Sequence, residues 1–267
     1  MDYLVISPYG VLSDLPFIGL KGEKKVLELF AIQYVYSLSS WIALRARDAA
    51  HSSSSDQSLN TFLIVGDPEN NKCAPLPGAT VEVLQISDLL ENVPKDNVCL
   101  LLGKNATESN VKKMMKKSSL VHIASHSFFD EDKVENSKIC LCPSSEEDGW
   151  LHPSEIQSLV SNHIWKIFVM SSCSSGRLKQ LGGDYYGFTR SLYLAGAQRV
   201  ISTLWTIDDV STNKLMVKFY VNMLILKQDV TVALRNAQRD LALTGDSNWM
   251  AFKLDGLGGR IAIDQGE

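Results

Sequence analysis

The chain has 267 residues, 45% of them hydrophobic and 21% charged, with a formal net charge of −4. That length is ample for one large domain or two small ones with a sizeable core, and the acidic balance gives no basic footprint for nucleic acid. No apolar run approaches the roughly 18 residues needed to span a bilayer, so the expectation is a soluble protein that binds neither nucleic acid nor membrane directly.

The N-terminus, M-D-Y-L-V-I-S-P, lacks the basic region and long apolar core of a signal peptide. The five cysteines, Cys73, Cys99, Cys140, Cys142 and Cys173, are odd in number and have no framework spacing. Together these predict a reducing, cytoplasmic setting with free thiols. The sequon at Asn105-Ala106-Thr107 reads as chance in that setting.

Tyr3 to Ser7 reads as a strand, turned by Pro8-Tyr9-Gly10, and Ala31 to Tyr36 as a second. A helix capped by Ser39 or Ser40 follows through Trp41, Leu44 and Arg47. His51 to Ser58 is a Ser-rich polar linker and the best candidate boundary. It divides an N-terminal subdomain, residues 1–58, from a core, residues 59–267. Phe62 to Val65 is a buried-type strand closed by Gly66-Asp67-Pro68. A helix from about Ala79 to Leu90 has Val83, Ile86, Leu89 and Leu90 on one face. Val98 to Leu102 is a strand. Thr107 caps a helix running to Lys117, and Ser119 to Ser125 is the next strand.

Phe128 to Gly149 is a long acidic insertion with a short strand at Ile139 to Leu141. It reads either as a solvated loop or as an attractor of basic substrates. A short helix spans Pro153 to Leu159. Ile167 to Met170 is an apolar strand, Gly176 to Gly183 a flexible loop, and Asp184 to Leu194 a helix. Arg199 to Leu204 is a strand, followed by helices over Val210 to Leu226 and Val230 to Leu243. Trp249 to Leu254 reads as a final edge element. Alternation of strands and helices predicts a parallel sheet with right-handed crossovers.

Two strand ends carry chemistry. Val121 to His126 reads V-H-I-A-S-H, and Met170 to Gly176 reads M-S-S-C-S-S-G. Open α/β sheets place their sites beyond such ends. His126 and Cys173 are therefore a candidate thiol–imidazole dyad, 47 residues apart, similar to the caspase spacing of His about 50 residues before Cys. A thiol of ordinary pKa needs a base to become the thiolate nucleophile. The oxyanion needs N–H donors, which the backbone around Cys173 can supply among small neighbours. His122 and His126 are four apart, but on a strand rather than a helix and without further ligands, so no metal site and no cofactor are expected. No G-x-S-x-G elbow is present. Asp208 and Asp209 follow the Arg199–Leu204 strand. They read as a helix N-cap, as a carboxylate at the rim of a substrate cleft, or as one of each.

These motifs resemble the CHAT domain, a caspase-like peptidase domain often joined to tetratricopeptide repeats and related to separase. The marks run along nearly the whole chain: L-V-I-S-P, V-G-D-P, L-P-G-A at Leu76, L-L-G-K-N-A-T at Leu101, V-H-I-A-S-H, D-G-W-L-H-P-S-E-I at Asp148, M-S-S-C-S-S-G, and V-I-S-T-L-W-T-I-D-D at Val200. The resemblance implies a caspase-hemoglobinase α/β sandwich with a central, mostly parallel sheet flanked by helices. It assigns the dyad to His126 and Cys173, and the oxyanion donors to the backbone of Ser127 and Cys173. It gives recognition of a basic residue before the cut to Asp208 or Asp209. It implies a regulated cysteine endopeptidase in defence or cell death, with a tetratricopeptide-repeat regulator in the same or another chain. Ser127 stands where such domains usually have Gly, and S-S-C-S-S-G replaces the usual S-A-C-E-T-G. Those departures leave open a silent module that binds protein partners. A thiol hydrolase or acyltransferase acting on small molecules is a third reading.

Overall fold

The computed structural model describes residues 2–52, 61–130, 133–159, 164–171 and 183–261. In chain order, β1 (Asp2–Ile6) leads to a short α1 (Val26–Leu29), β2 (Phe30–Tyr34) and α2 (Leu38–Ser52). Then come β3 (Phe62–Pro68), α3 (Pro77–Asp88), β4 (Val98–Gly103), α4 (Glu108–Met115) and β5 (Leu120–Ala124). The insertion holds β6 (Ser127–Phe128), β7 (Lys138–Cys140) and β8 (Trp150–Leu151). After α5 (Pro153–Ser158) follow β9 (Ile167–Ser171), α6 (Gly183–Ala195), β10 (Arg199–Thr203), α7 (Asp209–Tyr220), α8 (Val230–Leu243) and β11 (Phe252–Gly256). The helix expected over Val210 to Leu226 is α7, continued by a π turn at Val221–Ile225.

Eight strands form one sheet in the order β1-β2-β11-β10-β9-β5-β3-β4. Every neighbouring pair is parallel except β10 with β11. β11 is thus not the edge element its sequence suggested. It lies inside the sheet between β2 and β10, and all five of its residues are buried. Its polar residues misled the reading: Lys253 and Asp255 alternate with Phe252 and Leu254, as on an exposed strand. Here the two charges instead pair with each other, 3.2 Å apart.

β3, β5 and β9 are buried on both faces, which explains their continuous apolar runs. Phe62 and Ile64 point to one core with Val83 and Ile86 of α3 and Leu215 and Phe219 of α7. Leu63 and Val65 point to the other, with Val111 and Met115 of α4 and Phe188 and Leu192 of α6. This two-sided alternation at period two makes a helix–sheet–helix sandwich.

The insertion is a small antiparallel sheet, β6-β7-β8, rather than a loop with one short strand. Several of its acidic residues build turns. Asp130 accepts from Lys133 N and Asn136 Nδ2, and Asp148 accepts from Trp150 N. Glu131 and Asp132 lie outside the described residues. Of the polar linker, His51 and Ser52 extend α2, and 53–60 lie outside the description, as does 176–182 of the expected flexible loop.

Candidate functional site

Chain order dictates where a site can form. β3 has its successor β4 on one side, while β5, β9 and β10 follow one another on its other side. The strand order therefore reverses between β3 and β5, and a crevice opens beyond the carboxyl ends of the strands at such a point. His126 lies two residues past the end of β5, in that crevice. Ala124 of β5 is in register with Ser171 of β9. Cys173 follows Ser171 by two residues in sequence and lies outside the described residues.

His126 is 3% exposed, and its Nε2 lies 2.8 Å from the carbonyl oxygen of Ala74. A carbonyl only accepts, so Nε2 carries a hydrogen and Nδ1 is the ring nitrogen able to receive a proton. The segment carrying Ala74, between β3 and α3, is fixed at several points. Asp67, held at φ 42, accepts from Leu76 N at 2.7 Å and from the Thr80 hydroxyl at 3.2 Å. Asn70 Nδ2 donates to Leu141 O at 2.8 Å. Cys73 and Cys140 form a disulfide, and Cys140 N in turn donates to His126 O at 2.8 Å. The Ser125 hydroxyl donates to Cys140 O. The expectation of free thiols is corrected for these two residues, because the fold brings the β3–α3 segment against β7. Cys99 and Cys142 are free. Ser127, assigned an oxyanion role by resemblance, opens β6 opposite Ile139 and is fully buried.

The two adjacent aspartates part company. Asp208 is the N-cap of α7: its carboxylate accepts from Ser211 N at 3.0 Å, from the Ser211 hydroxyl at 2.7 Å and from Asn248 Nδ2 at 3.0 Å. Burial opposes its charge, but the Ser211 bonds outweigh burial and hold the carboxyl below its ordinary range. Asp209 is the first residue of α7 and turns inward. It lines a cavity with Leu76, Ala79, Glu82, Ser171 and Thr212. Burial there pushes its carboxyl up; His126 and the Gly78 N–H pull it down, Glu82 and Asp208 push it up, and the net direction is upward. Gly78 is required for this approach, since a Cβ at that position would overlap Asp209 Cβ.

Sequence reasoning missed Glu82. It is 1% exposed and lies on the buried face of α3, between Ala79 and Ile86. A lone carboxylate on that apolar face was the available signal. Its Oε1 lies 2.9 Å from Nε2 of His122 in β5, without hydrogen-bond alignment, and His122 Nδ1 meets the Tyr220 hydroxyl at 3.2 Å. His122 is thus a core histidine. A second acidic cluster, Glu108, Glu147 and Glu155, has the spacing of a metal site. The Lys112 ammonium occupies its centre, 2.6, 3.1 and 2.5 Å from the three carboxylates.

The CHAT domain family matches residues 1–256. Human tetratricopeptide repeat protein 28 is 24% identical, the match covering 95% of this chain and 12% of that protein, so the chain spans about an eighth of the curated relative's length. Among solved structures, separase in the Saccharomyces cerevisiae separase–securin complex superposes with a TM-score of 0.61 at 15% identity, over 94% of this chain and 15% of that one. Gingipain R, described as an Arg-specific cysteine proteinase, superposes with a TM-score of 0.65 at 12% identity, over 96% of this chain and 63% of that one.

Proposed function

The chain belongs to the CHAT domain family and has the caspase-like fold, and from that premise we propose that it is a cysteine endopeptidase cutting protein substrates after a basic residue. The observation that carries this reading is His126. It sits past a strand end at the switch point, and its Nε2–H is given to the Ala74 carbonyl, a tautomer in which Nδ1 is the basic nitrogen, as the proposed dyad needs.

In the proposed reaction Nδ1 takes the Cys173 thiol proton and the thiolate sulfur attacks the scissile carbonyl carbon. The backbone N–H groups of Ser127 and Cys173 receive the oxyanion. Collapse breaks the C–N bond, and His126 returns the proton to the leaving amine. A water, deprotonated by His126, then hydrolyses the thioester. Asp209 faces the cavity beside His126 and is the residue of the aspartate pair suited to a basic side chain, whereas Asp208 is consumed by the helix cap. A tetratricopeptide-repeat regulator, in the same or another chain, and a role in defence or cell death belong to this proposal and follow from kinship alone.

The test is turnover of fluorogenic peptides varied at the residue before the cut, with wild type, Cys173→Ala and His126→Ala. Cleavage after Arg or Lys that both substitutions abolish supports the reading. Cleavage that survives Cys173→Ala overturns it.

A further inference from the structure

The Cys73–Cys140 bridge closes a ring around His126. The imidazole Nε2–H donates to the carbonyl of Ala74, 2.8 Å away. Ala74 follows Cys73, and Cys73 is bonded to Cys140. Cys140 N–H then donates back to the carbonyl of His126 at 2.8 Å. The side chain and the backbone of one residue are thus held from the two ends of one disulfide. Those ends differ. Cys140 is the fixed one: it is 1% exposed, faces Trp150 across the β7–β8 pair, and its carbonyl accepts from the Ser125 hydroxyl. Cys73 is half-buried and lies in 71–75, a stretch in no helix or strand whose other residues are all exposed. The stretch runs between two buried anchors. Asn70 donates to Leu141 O, and Leu76 N donates to Asp67. Lys72 N and Cys73 N donate back to Asn70 within the same turn, and the Lys72 ammonium lies 5.9 Å from the Trp150 ring, at the outer limit of a cation–π contact. Opening the bridge leaves both anchors in place and returns conformational freedom to the residues between them, Ala74 included.

We propose that the Cys73–Cys140 disulfide is a redox switch on His126: closed, it presents the Ala74 carbonyl that holds the imidazole in its Nε2–H tautomer, and opened by a dithiol, it releases that hold. The reductant is a dithiol, carried by a protein or a small molecule. One of its thiolates attacks the sulfur of Cys73, the more exposed end, forming a mixed disulfide and expelling the Cys140 thiolate, which takes a proton. The second thiol of the reductant attacks the mixed disulfide and expels Cys73 as a thiol. Two electrons and two protons pass to the bridge, and the dithiol leaves as a disulfide. A disulfide oxidant of the same class runs the step backwards. Without a fixed acceptor for Nε2–H the two neutral tautomers of the ring exchange, and the ring is no longer held in one orientation. The effect on His126 stands on the geometry alone, and the effect on turnover rests on the peptidase reading.

The experiment uses Cys173→Ala protein with nitrogen-15 in its histidines, bridged or treated with dithiothreitol, at a mildly alkaline pH where the ring is neutral. Ring nitrogen shifts report the tautomer, and alkylation with mass spectrometry reports the bridge. Bridged protein should show His126 as the Nε2–H tautomer, and reduction should bring in the Nδ1–H tautomer and restore the single form on reoxidation. An unmoved tautomer overturns the proposal. A bridge that is absent, or that dithiothreitol leaves intact in the folded protein, overturns it as well. Loss of the near-ultraviolet circular dichroism on reduction would make the bridge a staple of the whole fold and also overturn it. Turnover is compared in reductant-free buffer between wild type and Cys73→Ser/Cys140→Ala. The variant should lose about tenfold or more in kcat, as a misplaced catalytic group does, with KM nearly unchanged. Turnover that needs Cys173 and His126 but is equal in the two proteins, with the tautomer unmoved, would leave the peptidase reading standing and this one refuted. A tautomer that follows the bridge in a protein that cleaves nothing would do the reverse.

Discussion

At the scale of single residues, two neighbouring aspartates with the same chemistry have different surroundings, because one faces the helix end and the other the cavity. Asp208→Ala removes an N-cap and should cost about 1 kcal/mol of stability, read as a lower urea midpoint, while leaving the affinity for a basic peptide nearly unchanged. Asp209→Asn should do the opposite, holding the midpoint and weakening that peptide. Burial raises the Asp209 carboxyl, and only its ionised form attracts a cation. The acid limb of kcat/KM for a basic substrate should therefore lie above the ordinary carboxylate range in wild type. It should be missing from the residual activity of Asp209→Asn, and an identical limb in both proteins would refute the assignment. His126 was legible in the sequence because a His at a strand end beside an apolar run is a local signal. The Ala74 carbonyl was not, since a backbone acceptor is set by where the chain passes and carries no side-chain signature.

At the scale of elements, the packing of α3 on α7 sets the distance between Gly78 and Asp209. Gly78→Ala should push α7 outward and lower affinity for a basic peptide, while Gly22→Ala, at a glycine with open space around it, should not. The β6-β7-β8 sheet is tied to α4 and α5 through Lys112. Lys112→Met leaves three carboxylates facing one another and should cost on the order of 3–5 kcal/mol, measured by urea unfolding at neutral pH. Within that cluster burial pushes Glu108 up to about 7 from an ordinary value of 4.5. The folded state thus keeps a proton that the unfolded chain releases. The stability this contributes is complete below about 4.5 and is lost as pH rises through about 7. Glu108→Gln should remove that part of the decline, so the stability difference between variant and wild type should change across this window and level off outside it. The clasp was invisible in sequence because its four members come from three separate segments. The Cys73–Cys140 bridge was hidden for the same reason: 67 residues separate its ends, and only the folded sheet brings them together.

At the scale of the whole molecule, the buried parallel strands were readable from continuous apolar runs, and the crossover helices from their capping and periodicity. The place of β11 was not, because period-two alternation reports one polar face and says nothing about whether that face is wet. The position of His126 follows from topology: β5 sits where the strand order reverses, and the loops after β3 and β5 must meet there. The match of the CHAT family to residues 1–256 and the superposition on separase and gingipain R join the chain to that architecture, and the chemistry rests on the site.

The most direct test of the central claim is mapping by mass spectrometry of the cysteine that reacts with a peptidyl ketone electrophile ending in arginine. Burial raises the thiols of Cys99 and Cys142, and Cys73 and Cys140 are bridged. A catalytic Cys173 should therefore be labelled at least tenfold faster than any other cysteine, and His126→Ala should slow it to the rate of the rest. Equal labelling of Cys99, Cys142 and Cys173, or labelling of Cys173 that is indifferent to His126, would contradict the dyad.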